Sequence, residues 1–279
     1  MDNQKPQAEE VELTPPDKLL NLTGKTAIVT GGALGIGRGI VYRLAEAGAN
    51  VVIANRTLEE AEKTAAKLAE KGWKVKAIRT DVSIEEDVKQ LAGLTVKEFG
   101  GIDILVNNAG IFPSIPVHKM TLADFESVLK INLNGVFLTT KYVSEQMIAQ
   151  GRGGKIINIT SIDALHPSSI GLAHYDASKH GVWGFTKNTA LELSEYKITV
   201  NAIAPGGILT DGVKKMQASM PVSGGVDMQK MMEGFLAKIP MHRMGVPDDI
   251  GKVALFLASD MSSYLTGSQI VVDGGVLLS

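Results

Sequence analysis

The sequence predicts a doubly wound α/β fold, in which a parallel sheet of about seven strands carries helices on both faces. Three observations predict it. From Lys25 onward, short β-branched runs alternate with longer segments of helical periodicity. Those runs are apolar along their length and lack a polar residue at every second place, so both faces of the sheet are covered. The composition, 44% hydrophobic, 5% aromatic and 21% charged, is that of a globular chain and excludes disorder, collagen and a coiled-coil rod.

The 279 residues are enough to bury roughly 70 to 75% of the extended chain's surface. No repeat or second domain is visible, so residues 23–279 read as one domain. Residues 1–22 read as a loose tail: Asp2, Glu9, Glu10, Glu12 and Asp17 stand against Lys5 and Lys18, and Pro6, Pro15 and Pro16 interrupt any regular element. An acidic docking arm is the alternative. With 28 basic and 30 acidic residues the net charge is -2, which gives no electrostatic reason to expect nucleic acid or an anionic membrane as partner. Cysteine is absent, which excludes disulfides, a thiolate nucleophile and cysteine-ligated metal. The first residues lack the basic and apolar regions of a secretory leader, and no apolar run approaches the ~20 residues of a membrane span. A soluble, cytoplasmic protein is expected.

The first strand, Thr26 to Val29, runs into TGGALGIG and a helical pattern over residues 37–47. Thr30, Gly31, Gly35 and Gly37 thus stand between a strand and a helix N-terminus. Exposed N–H groups there receive a pyrophosphate, and a Cβ would obstruct a dinucleotide. A purely structural turn is the alternative. The second strand, Asn50 to Ala54, leads to Asn55, Arg56 and a helix over 57–71. A carboxylate at that strand end would bond a ribose diol and repel a 2′-phosphate. Asn55 is neutral and the Arg56 guanidinium suits phosphate, which favours NADPH over NADH; Arg56 stacked on adenine or turned to solvent is the other reading. The third strand, Lys74 to Thr80, ends at Asp81, whose carboxylate would accept from an adenine amino group or cap the helix over 84–98. The fourth, Ile104 to Asn107, is followed by Asn108, Ala109 and Gly110, which would line a cofactor or simply turn the chain.

A helical pattern over 122–149 leads to the fifth strand, Lys155 to Thr160, and to Ser161. The next helix, over 174–195, carries Tyr175 and Lys179 four residues apart on one face, at the sheet rim where ligands sit in such folds. A sixth strand, Thr199 to Ile203, a helix over 247–258 and a seventh strand, Gln269 to Val272, complete the series. Residues 211–245 interrupt the rhythm with seven of the eleven methionines, Met216 among them. They read as an adaptable cover over a substrate pocket, with ordinary helix packing as the alternative. The five histidines, His118, His166, His174, His180 and His242, show no ligand spacing, so no metal is expected.

The glycine turn, the NNAG element at Asn107 to Gly110, INLNG around Asn132, NITS ending at Ser161, and YDASK from Tyr175 to Lys179 together resemble the short-chain dehydrogenase/reductase family. PGGILT at Pro205 to Thr210 and VVDGG ending at Gly275 extend the match, which runs from Leu22 to Gly275. The resemblance implies a Rossmann-like domain and hydride transfer between the nicotinamide C4 and a carbonyl or hydroxyl carbon. It also implies a catalytic set of Asn132, Ser161, Tyr175 and Lys179. Tyr175 would be the acid in reduction and the base in oxidation. Lys179 would lower the phenol from its ordinary pKa of about 10 and bond the nicotinamide ribose. Ser161 would donate to the substrate oxygen, and Asn132 would hold a water leading from Lys179 to solvent. Cofactor contacts would include Ile36 in the turn, Val82 after Asp81, and Pro205, Gly206, Ile208 and Thr210 at the nicotinamide end. One departure matters: NADP-preferring members often carry a basic residue just before the second glycine, where this chain has Leu34. Phosphate recognition then rests mainly on Arg56, and NAD(H) is an expected second cofactor.

The expected substrate wall comprises Ser161, Tyr175, Ile111, Phe112, Ile115, Asp163, Ala164, Leu165, His166, His174, Gly207 and Met216. This mainly apolar set with a few polar groups suits a small-molecule ketone, aldehyde, 3-oxoacyl group or sugar alcohol. The leading expectation is an NADPH-preferring ketone or 3-oxoacyl reductase. The alternatives are an NAD(P)-dependent sugar or polyol dehydrogenase, such as a glucose 1-dehydrogenase, and a non-catalytic dinucleotide-binding regulatory protein. The resemblance implies a homotetramer built through the long helices and the terminal strand, with a dimer as the alternative.

Overall fold

Seven strands form one sheet: β1 (Thr26–Thr30), β2 (Asn50–Asn55), β3 (Val75–Arg79), β4 (Ile104–Asn107), β5 (Gly154–Ile159), β6 (Ile198–Pro205) and β7 (Gln269–Val272). The computed structural model describes residues 13–16, 18–210, 234 and 236–279. Most of the tail and most of the methionine-rich cover, Met216 included, lie outside the described residues. All six pairings are parallel, in the order β3-β2-β1-β4-β5-β6-β7. The order reverses between β1 and β4. The chain leaves these neighbours in opposite directions, and a crevice opens beyond Thr30 and Asn107. Every predicted strand is present, with ends moved by one or two residues.

The α-helices among the described residues include α1 (Gly35–Glu46), α2 (Leu58–Ala69), α3 (Glu85–Phe99), α4 (Leu122–Leu129), α5 (Gly135–Gln150), α6 (Ala173–Leu193) and α7 (Pro247–Ala258). Two buried layers lie on either side of the sheet. Val29, Val51 and Ile53 pack with Ile40 and Leu44 of α1 and Ala254 of α7. Ile28 and Val52 pack with Leu91 of α3 and Val143 and Met147 of α5. Successive residues of β1 and β2 therefore feed opposite layers, which is why these strands show no polar alternation.

The continuous helix expected over 122–149 is interrupted. It opens at Thr121 with a reciprocal cap, Thr121 Oγ1 accepting from Asp124 N at 3.2 Å and Thr121 N donating to Asp124 Oδ2 at 2.9 Å. A wider π-type turn, Lys130–Asn134, then separates α4 from α5. It falls on Asn132, and its cause lies in the contacts of that side chain, described below.

α1 crosses α7 with the backbones in near contact. A Cβ on Gly39 would meet the Pro247 carbonyl oxygen at 2.5 Å, and one on Gly251 would meet the Gly39 oxygen at 2.6 Å. Beside this crossing Arg43 grips Asp248 with two parallel bonds, Nε to Oδ1 at 2.5 Å and Nη2 to Oδ2 at 2.8 Å. The Arg43 contact holds the Asp248 carboxyl down at about 2, against the opposing effect of burial. Because this value is depressed, the stabilisation is present above the ordinary carboxylate range and fades as pH falls toward 2. Asp248 is 37% exposed, so solvent screening limits the gain. Asp248→Asn should cost about 1 kcal/mol near neutral pH. Urea melts at pH 7 and pH 2.5 test this: the gap between variant and parent should narrow at the lower pH.

Candidate active site

The crevice at the reversal point is built from residues that let two strand ends meet. Thr30 ends β1 buried, and its hydroxyl accepts from Asn108 N and Ala109 N, both at 3.0 Å. The Asn108 amide donates back to Thr30 O at 2.9 Å and Gly31 O at 3.1 Å. Gly31 has φ +63° and faces Ala109, whose Cα would lie 3.0 Å from an added Cβ. Gly37, in the first turn of α1, is tighter: a Cβ there would meet the Gly31 oxygen at 2.2 Å. Thr30 and Asn108 are thus spent on the scaffold, and their part in the crevice is to hold its floor.

α1 begins without a side-chain cap and with no acidic residue in its first turn. Its leading N–H groups are left for an external anion. Gly35 also approaches Thr210, whose Cβ and Cγ2 lie 3.3 Å from where its own Cβ would be. The segment after β6 therefore reaches the glycine turn. An uncapped helix start, glycines where a side chain would fill the space, and Thr210 close above fit the pyrophosphate of a nicotinamide dinucleotide.

At the other end of the crevice, Lys179 is 5% exposed and donates from Nζ to Ile159 O at 2.7 Å. Nζ lies 5.6 Å from the centre of the Tyr175 ring. Asn132 is fully buried; its Oδ1 accepts from Ile111 N at 2.8 Å, and its Nδ2 donates to Ile111 O at 2.9 Å and Ser178 Oγ at 3.1 Å. Two of these bonds clamp the π-type turn to the segment after β4, and the third ties it to α6. Gly110 sits at the meeting point: a Cβ there would be 3.2 Å from Asn132 Oδ1 and 3.8 Å from Lys179 Nζ. Phe112 packs edge-on against Tyr175, with ring centres 6.1 Å apart.

Burial pushes the Tyr175 phenol up to about 12, with Asp163 and Asp176 adding to the rise and the Ser161 hydrogen bond partly offsetting it. Burial likewise pulls Lys179 down to about 8. Each group is moved toward its neutral form by the cost of taking its charge out of water.

Other assigned residues sort by their contacts. Asn55 turns its amide onto Thr57 O at 2.9 Å, so it shapes the turn and leaves Arg56 exposed at the end of β2. Asp81 accepts from Ser83 N at 3.0 Å and Ser83 Oγ at 2.7 Å, closing a local turn ahead of α3, whose cap position is Ile84 and not Asp81. Burial raises its pKa, but these bonds and the nearby Arg56 and Lys130 win, leaving it below the ordinary value. Val82 is buried against Gly135 of α5. Pro205 ends β6 buried, Gly206 backs onto Asp273, and Ile208 is buried in a bridge to Gly245. Gly207 O accepts from Gly245 N at 2.9 Å. Leu165 and His166 are exposed on the loop after β5, whereas Ser161 and Asp163 are buried together. His174 belongs to the core instead of the substrate wall: it is 0% exposed, and its Nδ1 accepts from Tyr175 N at 3.0 Å.

Sequence reasoning missed the supporting shell. Ser178, Ile111 and the Ile159 carbonyl hold Asn132 and Lys179. Beneath them Asn107 bonds Thr140, Thr139 and Asn158, and Asn158 reaches Thr186, tying β4, β5, α5 and α6 together. The signal available was the pair of asparagines in otherwise apolar strands.

A family model described as enoyl-(acyl carrier protein) reductase matches residues 31–277. A 3-oxoacyl-[acyl-carrier-protein] reductase of Aquifex aeolicus is 38% identical, over 92% of this chain and 99% of its own. This chain is a short-chain dehydrogenase/reductase. An L-rhamnose-1-dehydrogenase of Scheffersomyces stipitis is 37% identical, over 92% of this chain and 98% of its own. An Agrobacterium tumefaciens protein solved with NADP bound is 34% identical with a TM-score of 0.83, covering 94% of this chain and 99% of that one. The protein is therefore an NAD(P)(H)-dependent oxidoreductase acting on carbonyl or alcohol substrates.

Gly37→Ala should collide with the Gly31 carbonyl and open the turn. The expected result is a loss of at least about 2 kcal/mol in stability together with weakened NADPH binding, read by thermal melts and cofactor fluorescence titration. Unaltered values for both would contradict the close approach.

Proposed function

We propose that this dehydrogenase/reductase is an NADPH-preferring reductase of ketones or 3-oxoacyl groups. The observation that carries the reading is the Tyr175 ring with Lys179 Nζ 5.6 Å from its centre, at the end of a crevice that fits a dinucleotide. A phenol that keeps its proton at neutral pH is equipped to give it away. The bound nicotinamide supplies or accepts the hydride. Tyr175 transfers its proton to the substrate oxygen as the C=O becomes an alcohol, and it takes that proton back in the reverse direction. Lys179, its Nζ 5.6 Å from the centre of the Tyr175 ring, would hold the nicotinamide ribose. Asn132 spends its side chain on Ile111 and Ser178, so its role is to fix the segment that carries Gly110 past Lys179, with its main chain left for a water.

Arg56, exposed at the end of β2, is assigned to the 2′-phosphate, and the NADP-bound relative supports that choice. A sugar or polyol dehydrogenase is the second reading. It is favoured by the buried carboxylate of Asp163 next to Ser161, an acceptor for substrate hydroxyls, and by the likeness to the rhamnose dehydrogenase. We assign a homotetramer, with a dimer as the lesser alternative, because Phe137 of α5 remains 48% exposed and Leu191 of α6 75% exposed. No described helix is long and apolar enough to cross a membrane. A cytoplasmic setting without nucleic-acid partners is part of the same proposal.

Tyr175→Phe should abolish turnover by about a thousandfold or more while NADPH still binds; a variant with near-parental kcat overturns the assignment. Arg56→Ala should raise the KM for NADPH at least about tenfold with little change for NADH, because a charge-assisted bond is lost. Equal losses for both cofactors would remove Arg56 from phosphate selection. A panel of 3-oxoacyl thioesters, ketones, aldoses and polyols, run with both cofactors, separates the two substrate readings.

A further inference from the structure

A groove of about 650 Å³ runs between α1, α2 and the start of α7, and of the glycine turn only Leu34 borders it. Leu34, Tyr42, Leu68 and Val246 give it apolar surface, and Leu34 and Val246 remain 40% and 42% exposed. The charged side chains around that surface are Arg38, Arg43, Lys63 and Lys67 against Glu60 and Asp248. Arg43 is engaged by Asp248 and Glu46. Lys63 meets Glu59 at 2.6 Å, but both are well exposed and the pair is weakly held. Lys67, exposed one turn further along α2, makes no ion pair with a described residue. Apolar surface beside such a cation calls for a cover that is acidic and partly apolar.

The chain carries a segment of that chemistry. Residues 1–12 hold Asp2, Glu9, Glu10 and Glu12 against Lys5, with Val11 between two of the glutamates. Glu12 precedes Leu22 by ten residues. Leu22 is buried in the same layer as Leu44 of α1 and Leu68 of α2, and its N–H donates to Ala47 O at 2.8 Å, at the end of α1. Ten residues span up to about 33 Å, and α1 is about 18 Å long. Residues 9–12 are therefore tethered within reach of the whole groove.

We propose that residues 9–12 dock in the α1–α2 groove of their own chain, with glutamates against Lys67 and Lys63 and Val11 on the apolar surface of Tyr42 and Leu68. The inference is independent of the substrate reading. A short tether keeps the arm at an effective concentration of about millimolar, so a weak contact suffices. Asp248 is already matched by Arg43 and by Lys252 at 2.9 Å. Glu60, nearer the start of α2, has no ion-pair partner among the described residues and places the acidic contact toward Lys67.

The absence of cysteine allows the contact to be trapped directly. In the full-length protein, Glu10→Cys is combined with Lys67→Cys, with Lys63→Cys, or with Glu98→Cys on α3 at the opposite face of the sheet, under mild oxidation. Disulfide formation within one chain should be at least about tenfold faster at position 67 or 63 than at 98, and should slow at least about threefold in about 1 M salt. Equal rates at all three positions overturn the proposal. Links between two chains also overturn it, and assign the groove to the arm of a neighbouring copy. Trp73 gives a second readout, because its ring packs edge-on against Tyr42 with centres 4.9 Å apart. In a Trp183→Phe background, removing residues 1–12 should shift the Trp73 emission, and a peptide of residues 1–14 should restore it. No shift on removal contradicts docking, and equal restoration by an unrelated acidic peptide transfers the groove to another acidic partner and overturns its assignment to this arm.

Discussion

Two adjacent strand ends must come together at the reversal point with little between them but backbone, one hydroxyl and one side-chain amide. Thr30 meets that constraint by accepting two N–H groups from the turn after β4, and Gly31 and Gly37 meet it by having no Cβ. The start of α1 can then point its uncapped N–H groups into the crevice, and the segment after β6 approaches it through Thr210. The phosphate end of the site is therefore a by-product of how tightly β1 and β4 are stitched. A polar residue that looks like a ligand contact in such a turn can be fully used up by its neighbours, as Thr30 and Asn108 are.

The chemical end obeys a different balance. Tyr175 and Lys179 come from one helix, so their proximity is guaranteed by spacing, but their protonation is decided by the low-dielectric surroundings. Desolvation moves the phenol up and the ammonium down, each toward its neutral form. The pair is not a simple ion pair, and its behaviour depends on what else is brought near it: Ser161, Asp163 and Asp176 on one side and the Ile159 carbonyl on the other.

What was legible in the sequence was what depends on local pattern. Apolar runs such as TAIV and NVVIA fixed strand positions because burial on both faces leaves no polar alternation to misread. YDASK and TGGALGIG placed the reacting groups because helix spacing and missing Cβ atoms act within a few residues. The rest depended on long-range contacts. Nothing near Asn132 in the chain says that its amide will bind Ile111, some twenty residues earlier. The spacing of Tyr175 and Lys179 says nothing of the surroundings each meets, Lys179 buried against the Ile159 carbonyl and Tyr175 half-buried. His174 followed the same logic: its neighbour is catalytic in prospect, yet the helix turns it into the core.

The π-type turn at Lys130–Asn134 has a further consequence for the architecture. It places a surplus residue in the middle of what is otherwise one rod, so the stripe of side chains before it and the stripe after it are rotated apart. α4 can then lean on α6 while α5 leans on α3, two neighbours that a single uninterrupted cylinder would struggle to serve at once. Deleting one residue here would straighten the rod and set its two halves competing for the same angular register.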